Sequence, residues 1–383
     1  MNKRNITILF IASDVNLGGS TASLLNLIRS LRKEIEPMVL FPAEGLGVDL
    51  FRHNGIECIV HKHINYISLR SNSIFKNWKH PWRWHYIKRF RFAIGCLWSV
   101  WKVLNGRKID IIHTNTSVNG IGVFLAKVFN AKHVWHVREF IDLDFHQEVY
   151  MGFPYLRNLL NQADARIAVS NAIKEHWQLK DENTWVIGNA VRCKDDAISS
   201  FDKEKFVLFC SYNINKVKGA EFTIEAFAES RISSLGYRLV MIGNCDETYK
   251  EYLLMIAEQL RIREQICIIP CQTDVKPWFS KASAFIMASE NEAFGRVTAE
   301  AMFYGCPVIA RATGGSLDIV QHGETGWLFR DIKECAELIS KVCDNKQNSI
   351  IVKAQEYALN NFSEEVYAQK ILNIYHKLIE EEV

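Results

Sequence analysis

Short apolar runs alternate with helix-length amphipathic stretches along this chain, and this alternation constrains the fold more than any other feature. Short apolar runs bounded by turn signals are typical of buried strands. Buried strands that alternate with helices favour parallel sheets covered on both faces, so the sequence predicts an α/β fold. The predicted strands are residues 6–12, 38–41, 56–60, 109–113, 132–137, 165–169, 185–187, 206–210, 238–242, 266–269, 284–287, 307–310 and 326–329.

The length of 383 residues predicts two domains of roughly 150–200 residues each. The break falls after the strand at 185–187, because Gly188 opens a turn and the segment 192–205 is polar without periodicity. Each half has the pattern of a doubly wound, Rossmann-like unit. Apolar residues at helical spacing predict a C-terminal helix, which Ser363 suits as its start. The expected parts are residues 1–190, residues 204–361 and the helix at 362–383.

The composition indicates a globular protein, with 48% apolar and 23% charged residues. The ten cysteines include no Cys-x-x-Cys pair, which disfavours a zinc site or a disulfide framework and favours reduced thiols in the cytoplasm. Neither a signal peptide nor a membrane-spanning helix is expected. The first apolar run reads as a strand, and no run reaches about 18 apolar residues.

The net charge of +3 is unevenly distributed. No acidic residue lies between Glu57 and Asp110, whereas this stretch holds eleven Lys and Arg and five of the ten Trp. Aromatic residues favour the headgroup level of a bilayer and cations favour anionic lipid, so residues 74–108 are a candidate membrane-docking surface. An ordinary helix with a solvated basic face is the alternative. Nucleic-acid binding is a weaker interpretation, because the chain carries no recognised module.

Two glycine pairs follow predicted strands and precede helices. Open parallel sheets bind their ligands at such positions, outside the carboxyl ends of the strands. Gly18 and Gly19 follow the first strand, and Gly314 and Gly315 follow the strand at 307–310. Glycines admit a ligand close to the backbone, and a helix N-terminus favours an anion. A tight strand-to-helix turn explains the first pair equally well.

Two single basic side chains also stand at strand ends. His136 can donate a hydrogen bond to a developing charge or a sugar hydroxyl, although isolated histidines are more often structural. Lys218 precedes a helix and can neutralise a diphosphate leaving group, for which a solvated lysine is the ordinary alternative.

The segment at residues 289–310 carries most of the candidate chemistry. Glu292 lies in a turn that passes through Gly295 into a helix, and Glu300 follows on that helix. Helix-start amides can hold a phosphate or hydroxyls, and each carboxylate can accept hydrogen bonds from two neighbouring hydroxyls. The alternative is a pair of exposed glutamates on a surface helix.

With these motifs in this order, the chain resembles the retaining glycosyltransferases of family four, the group 1 glycosyl transferases. The resemblance covers nearly the whole chain. It implies the GT-B architecture, in which two Rossmann-like domains face each other across a cleft and the C-terminal helix crosses back to the first domain. It also implies that residues 1–190 form the acceptor side and residues 204–361 bind the nucleotide sugar. The motifs that carry the resemblance are Gly18-Gly19, Ala168-Val-Ser170, Ile187-Gly-Asn189-Ala-Val191, Lys218-Gly219, Glu292 through Glu300, Pro307-Val-Ile-Ala, Gly314-Gly315 and Gly323-x-x-Gly326.

The resemblance implies a role for each site residue. Glu292 contacts the donor sugar at its reacting end, Lys218 holds the diphosphate and His136 lies under the sugar. The implied donor-binding residues are Gly18, Gly19, Asn213, Phe294, Gly295, Arg296, Val297 and Glu300, with Glu300 on the ribose. No metal or cofactor is implied, because lysine and helix amides take the place of a metal; the nucleotide sugar, a UDP-sugar by resemblance, is a substrate.

One position departs from the family. An arginine usually stands five residues before the lysine that matches Lys218, and this chain has Asn213 there. We hypothesise that Lys216 or Arg296 supplies the second cation.

The predicted function is sugar transfer with retention to a saccharide or lipid-linked saccharide acceptor in cell-surface polysaccharide assembly. The predicted location is cytoplasmic and peripheral on the inner face of the membrane. A non-catalytic GT-B protein that binds nucleotide sugar or a partner glycosyltransferase is the alternative, favoured by Asn213 alone. A sugar-nucleotide epimerase is a third reading, which no residue pattern favours.

Overall fold

The computed structural model describes residues 4–16, 18–63, 67–69, 82–145, 147–149, 152–198, 201–344 and 347–380. The chain divides into two compact units. The first comprises Met1–Gly188 with Tyr367–Val383, and the second comprises Asn189–Val366. Each is built on one parallel sheet with helices and is described by itself.

The first unit has a seven-stranded parallel sheet. The strands of the first unit, in chain order, are β1 (Ile6–Ile11), β2 (Ile35–Phe41), β3 (Glu57–Val60), β4 (Ile67–Leu69), β5 (Ile111–Thr114), β6 (Lys132–Val137), β7 (Gln147–Val149), β8 (Ala165–Ala168) and β9 (Thr184–Val186). Its helices are α1 (Gly19–Leu31), α2 (Leu46–His53), α3 (Trp82–Leu104), α4 (Ile121–Phe129), α5 (Asp142–Phe145), α6 (Phe153–Leu160) and α7 (Asn171–His176). The sheet order is β3-β2-β1-β5-β6-β8-β9, and β4 pairs separately and antiparallel with β7.

The second unit has a six-stranded parallel sheet in the order β12-β11-β10-β13-β14-β15. Its strands are β10 (Glu204–Asn213), β11 (Arg238–Asn244), β12 (Ile266–Ile269), β13 (Ala282–Met287), β14 (Val308–Arg311) and β15 (Trp327–Phe329). Its helices are α8 (Ala220–Glu229), α9 (Glu247–Gln259), α10 (Lys276–Lys281), α11 (Arg296–Phe303), α12 (Ser316–Ile319), α13 (Ile332–Asp344) and α14 (Asn348–Phe362).

The central strands are buried on both faces, which explains why they appear in the sequence as continuous apolar runs. All six residues of β1 and all six of β13 are buried. Helices cover both sides of such a parallel sheet, so neither face needs polar side chains.

In both sheets the strand order reverses beside the first strand of the unit. β2 lies on one side of β1 and β5 on the other, and β11 and β13 flank β10 in the same way. Ligands of doubly wound sheets bind at this switch point, outside the carboxyl ends of the strands. The fold therefore predicts ligand sites at the sheet edges that follow β1 and β5 and that follow β10 and β13.

The last helix, α15 (Glu364–Glu380), returns the chain to the first unit from Tyr367 onward. The Ser363 hydroxyl accepts a hydrogen bond from the Val366 amide at 3.4 Å, in agreement with the predicted helix start. Tyr367 and Tyr375 are buried. The predicted fold class, two Rossmann-like domains with parallel sheets, is confirmed.

Candidate functional site

Lys218 and Glu292 meet at the switch point of the second sheet. A 3-10 turn, Lys216–Lys218, closely follows β10, and Glu292 comes soon after β13. Because β10 and β13 pair in parallel, the segments after them emerge at the same edge. The Lys218 Nζ lies 2.9 Å from the Glu292 Oε2. The structure thus brings together two predicted catalytic residues that are 74 positions apart in the sequence.

The turn that carries Lys218 is held from both sides. The Asn215 side chain accepts a hydrogen bond from the Lys218 amide at 3.0 Å. Gly219 follows with φ +78°, and a Cβ there would lie 2.5 Å from the Ala288 carbonyl oxygen. Only glycine permits both this left-handed conformation and this contact, so the turn packs directly on the segment that leads from β13 to Glu292.

The Gly314-Gly315 pair supports the turn that carries Glu292. The Gly315 amide donates to the Glu292 carbonyl oxygen at 2.8 Å. A Cβ on Gly314 would lie 2.4 Å from that same oxygen, and one on Gly315 would lie 2.3 Å from the Phe294 carbonyl oxygen. Both glycines are therefore required by packing against the glutamate turn.

The helix α11 begins immediately after this turn. Gly295 precedes it with φ +99°, and Phe294 is buried with its ring edge-on to Phe362. First-turn amides of a helix have no intrahelical partner. The amides of Arg296 and Val297 are consequently available to an anion or a hydroxyl.

A cavity of about 190 Å³ lies beside the lysine–glutamate pair. Its lining is Phe209, Cys210, Ser211, Tyr212, Lys218, Ile286, Met287, Ser289, Glu292 and Val297. Sequence reasoning did not single out Ser289, which is 2% exposed, or Tyr212, which is 74% exposed. Their positions at or just after the carboxyl ends of β13 and β10 are the signal that would have identified them.

Glu300 is 8% exposed, so its interpretation as a surface glutamate is wrong. Its Oε1 lies 3.4 Å from Arg192 Nη2 and 3.3 Å from Arg296 Nε. Arg192 also donates to the Tyr304 hydroxyl at 2.8 Å. The sequence did not indicate Arg192 as a partner, because it lies in the polar segment 192–205.

The two candidate second cations differ in their surroundings. Lys216 is exposed at the start of the 3-10 turn, and Asn213 is exposed at the end of β10. Arg296 is half-buried beside Glu300 and directly precedes the cavity residue Val297.

His136 lies at the end of β6 in the first unit and is fully buried. An Arg138 Nη2 donates to its Nδ1 at 3.4 Å, which places the imidazole proton on Nε2. That Nε2 has no hydrogen-bond partner among the described residues. Burial, followed by the positive charge of Arg138, holds the pKa of His136 well below its usual range. His136 is therefore a neutral hydrogen-bond donor.

Two tyrosines of α15 complete the surroundings of this histidine. Arg138 donates to the Tyr367 hydroxyl at 2.9 Å, and His113 Nδ1 lies 2.7 Å from the Tyr375 hydroxyl. The His113 and His136 rings are 5.6 Å apart between centroids. The C-terminal helix thus contributes to a buried polar cluster within the first unit.

The first glycine pair opens α1. Gly18 precedes the helix, and a Cβ there would lie 3.3 Å from the Asp14 Oδ2, whereas a Cβ on Gly19 would meet no atom within 4 Å. The backbone of Gly19 therefore faces open space.

Part of the basic aromatic stretch falls in α3. Residues 74–81 lie outside the described residues. Ile94, Trp98 and Trp101 are 49%, 61% and 44% exposed, and Lys102 Nζ lies 5.3 Å from the Trp98 ring centroid. Residues of the opposite face, including Val100, pack in the core.

Within the described ranges, no helix is long and apolar enough to cross a bilayer. No group of three or more His, Cys, Asp or Glu in these ranges is arranged to hold a metal ion.

Two family models match this chain and together span most of it. Residues 17–195 match the model described as Glycosyltransferase Family 4. Residues 191–358 match the model described as Glycosyl transferases group 1.

Curated relatives are about a quarter identical to this chain over the residues that align. The chain is 24% identical to the N-acetyl-alpha-D-glucosaminyl L-malate synthase of Bacillus anthracis over 304 residues, 73% of this chain and 78% of the relative. It is 26% identical to the capsular polysaccharide biosynthesis glycosyltransferase CapM of Staphylococcus aureus over 188 residues, 46% of this chain and 48% of the relative.

Solved structures share the fold across nearly the whole length. The crystal structure of Anabaena HepE in complex with UDP and glucose has a TM-score of 0.76 at 20% identity, covering 97% of this chain and 100% of HepE. A glycosyltransferase from Rickettsia africae has a TM-score of 0.77 at 19% identity, covering 99% of this chain and 100% of that one.

Proposed function

This chain belongs to the family-four glycosyltransferases with the GT-B architecture, and we propose that it transfers a sugar from a UDP-sugar to a saccharide or lipid-linked saccharide acceptor. We further propose that the anomeric configuration is retained and that no metal ion is needed. UDP is supported by HepE, whose crystal structures contain UDP. A role in cell-surface polysaccharide assembly is supported by the likeness to a capsular polysaccharide glycosyltransferase.

The observation that carries this proposal is the contact of Lys218 with Glu292 in a cavity at the switch point. In sugar transfer the bond between the anomeric carbon and a diphosphate oxygen breaks, and an acceptor hydroxyl forms the new bond and releases its proton. The diphosphate leaves with additional negative charge. A fixed ammonium group and helix amides aimed at that charge stabilise the transition state, which is the proposed role of Lys218 and of the Arg296 and Val297 amides.

Glu292 is proposed to orient the donor sugar. Its carboxylate can accept hydrogen bonds from two neighbouring hydroxyls, and the contact with Lys218 holds it in place until the donor arrives. The buried Glu300 is proposed to bind the ribose of the nucleotide in the same manner. His136 is proposed to donate a hydrogen bond from its Nε2–H to the donor sugar.

The test is binding and turnover of nucleotide sugars by the purified full chain. A thermal-shift screen of UDP-, GDP- and ADP-sugars identifies the donor, because a ligand that binds the folded state raises its stability. We expect a UDP-sugar to bind and to be hydrolysed slowly without acceptor, in the presence of EDTA as well. Lys218→Ala should lower turnover on the order of a hundredfold or more.

Lys205 offers the matched control for Lys218. It stands near the amino end of β10, the strand that the Lys218 turn follows, and its Nζ donates to the Leu235 carbonyl oxygen. Lys205→Ala should therefore keep wild-type turnover. A wild-type protein that neither binds nor hydrolyses any nucleotide sugar contradicts the proposal, and the configuration of the product by NMR tests retention.

A non-catalytic GT-B protein remains the second candidate, because Asn213 replaces the family arginine. A non-catalytic function predicts that the protein binds a UDP-sugar with ordinary affinity but does not transfer the sugar to any acceptor. Slow hydrolysis that Lys218→Ala abolishes decides in favour of the enzyme.

We also propose that α3 docks on the cytoplasmic face of an anionic membrane. Its exposed face carries Ile94, Trp98 and Trp101, flanked by the exposed cations Arg91 and Lys102. Large exposed aromatics beside cations match the headgroup level of an anionic bilayer.

Vesicle sedimentation tests this docking. We expect binding to vesicles with anionic lipid and little binding to neutral vesicles, and a marked loss in the Trp98→Ser/Trp101→Ser double variant. Leu235→Ser removes a similarly exposed apolar side chain from the second unit and is the control. If the protein sediments equally with neutral and anionic vesicles, or does not sediment with either, the proposal is wrong.

A further inference from the structure

Three buried hydroxyls in the second unit have no hydrogen-bond partner among the described residues. They are the Oγ of Ser289, the Oγ1 of Thr298 and the Oγ of Ser316, on residues that are 2%, 0% and 1% exposed. A buried hydroxyl without a partner destabilises the folded state, because it has given up its hydrogen bonds to water. Each such group in a folded protein calls for an explanation.

Ser289 differs from the other two because it is one of the residues that line the cavity beside Lys218 and Glu292. It lies directly after Ala288, on which the Lys218-Gly219 turn packs so closely that a Cβ on Gly219 would come within 2.5 Å of the Ala288 carbonyl oxygen. The unpartnered hydroxyl of Ser289 is therefore built in beside the lysine turn.

We infer that Ser289 binds the diphosphate of the nucleotide, its Oγ–H donating a hydrogen bond to a phosphoryl oxygen that Lys218 also contacts. This inference rests on the proposed function and names a further residue of the same site. Among the described residues that line the cavity, Lys218 carries the only positive charge. The Glu292 carboxylate can only accept hydrogen bonds. A phosphoryl oxygen is therefore favoured at the lysine side, where a neutral hydroxyl adds a donor.

Ser289→Ala distinguishes a role in binding from a structural role through two measurements, the thermal midpoint of the ligand-free protein and the affinity for UDP. Removal of an unsatisfied buried hydroxyl should leave the thermal midpoint of the ligand-free protein unchanged or slightly raised. The same variant should bind UDP roughly ten- to hundredfold more weakly, the loss typical of one hydrogen bond to a charged group. Its affinity for uridine, which has no phosphate, should equal that of the wild type.

Thr298→Val is the matched control. It also removes a buried, unpartnered hydroxyl, close to the wild-type shape, from a residue that does not line the cavity. We expect it to keep the wild-type affinity for UDP. Isothermal titration calorimetry with UDP and with uridine gives the affinities, and thermal unfolding without ligand gives the midpoints.

Three results would overturn the inference. The first is an unchanged affinity of Ser289→Ala for UDP, and the second is an equal loss of its affinity for UDP and for uridine. The third is a lowered thermal midpoint of Ser289→Ala together with an equal loss of UDP affinity in Thr298→Val. If the screen identifies another nucleoside diphosphate, that diphosphate and its nucleoside replace UDP and uridine. A wild-type protein that binds no nucleoside diphosphate overturns the proposed function as well. If the wild type binds the nucleoside diphosphate and Ser289→Ala binds it with the same affinity, only this inference is overturned.

Discussion

Asn213 leaves open which side chain assists Lys218, and the surroundings of Arg296 and Lys216 favour the arginine. Arg296 is half-buried, contacts Glu300 and stands next to Val297 in the cavity wall, whereas Lys216 is exposed. A cation in a partly desolvated position acts more strongly on a developing charge than one in water.

We therefore expect Arg296→Ala to lower turnover by about tenfold or more and Lys216→Ala to change it by no more than a few fold. Steady-state kinetics with the identified nucleotide sugar provide the measurement. Glu300 keeps its contact with Arg192 in the Arg296→Ala variant, so the carboxylate stays paired. If both variants lose no more than a few fold while Lys218→Ala loses about a hundredfold or more, neither residue replaces the family arginine.

Single site residues could be predicted from the sequence where the strand pattern located them. Lys218 and Glu292 each closely follow a predicted strand, and parallel strands bring such positions to one edge. The contact of Glu300 with Arg192 could not be predicted, because the two residues are far apart in the chain and Arg192 belongs to no regular element. The orphaned hydroxyl of Ser289 is likewise a property of packing.

At the scale of elements, the loop between β14 and α12 determines where the Glu292 turn lies. Gly315 has an ordinary helical φ of −64°, so a side chain there meets a purely steric obstacle. A Cβ would lie 2.3 Å from the Phe294 carbonyl oxygen and 2.5 Å from the Phe294 Cα. Both are backbone atoms, and the turn must move to admit a methyl group.

Gly315→Ala should therefore destabilise the second unit by roughly 1–3 kcal/mol and weaken nucleotide binding, because the displaced turn carries Glu292. Urea unfolding and calorimetric titration measure the two effects. Gly95→Ala is the control, since a Cβ on this glycine of α3 meets no atom within 4 Å. An unfolding curve of Gly315→Ala that superimposes on the wild type would contradict the steric argument.

Most elements were predicted because buried strands leave a readable pattern. The strands at 132–137 and 266–269 agree with β6 and β12 at both ends. β4 and β7 were missed, because three residues of an antiparallel pair show neither a continuous apolar run nor a full alternation. Element boundaries elsewhere shifted by one to three residues, as expected where strand ends are defined by pairing rather than by side chains.

At the scale of the whole chain, the sequence predicted two domains and a final helix, and the family resemblance implied that this helix crosses back to the first domain. The helical spacing of the tail was readable, and its residues from Tyr367 belong to the first unit. The contact between His113 and Tyr375 joins residues 262 positions apart, and no local pattern indicates it. Such contacts are set by the fold as a whole.

The buried histidines of the first unit should make folding stability depend on pH. Burial lowers the pKa of His133 to about 3, while its Nε2 lies 2.9 Å from the Thr114 hydroxyl. His113 and His136 are shifted in the same direction, also by burial first. An unfolded histidine binds a proton near pH 6.5, whereas each of these remains neutral in the folded state, so stability is lost as the pH falls below about 6.5.

Each such histidine should lower the free energy of unfolding by about 1.4 kcal/mol between pH 7.5 and pH 5.5. We expect His133→Gln to lose that much less stability than the wild type over this interval, whatever its stability at pH 7.5. The exposed His53→Gln is the matched control and should retain the wild-type pH dependence. Urea unfolding at both pH values measures the difference. An identical pH dependence in His133→Gln and the wild type would show that His133 does not stay neutral in the folded protein, and the burial argument applied to His136 would lose its support.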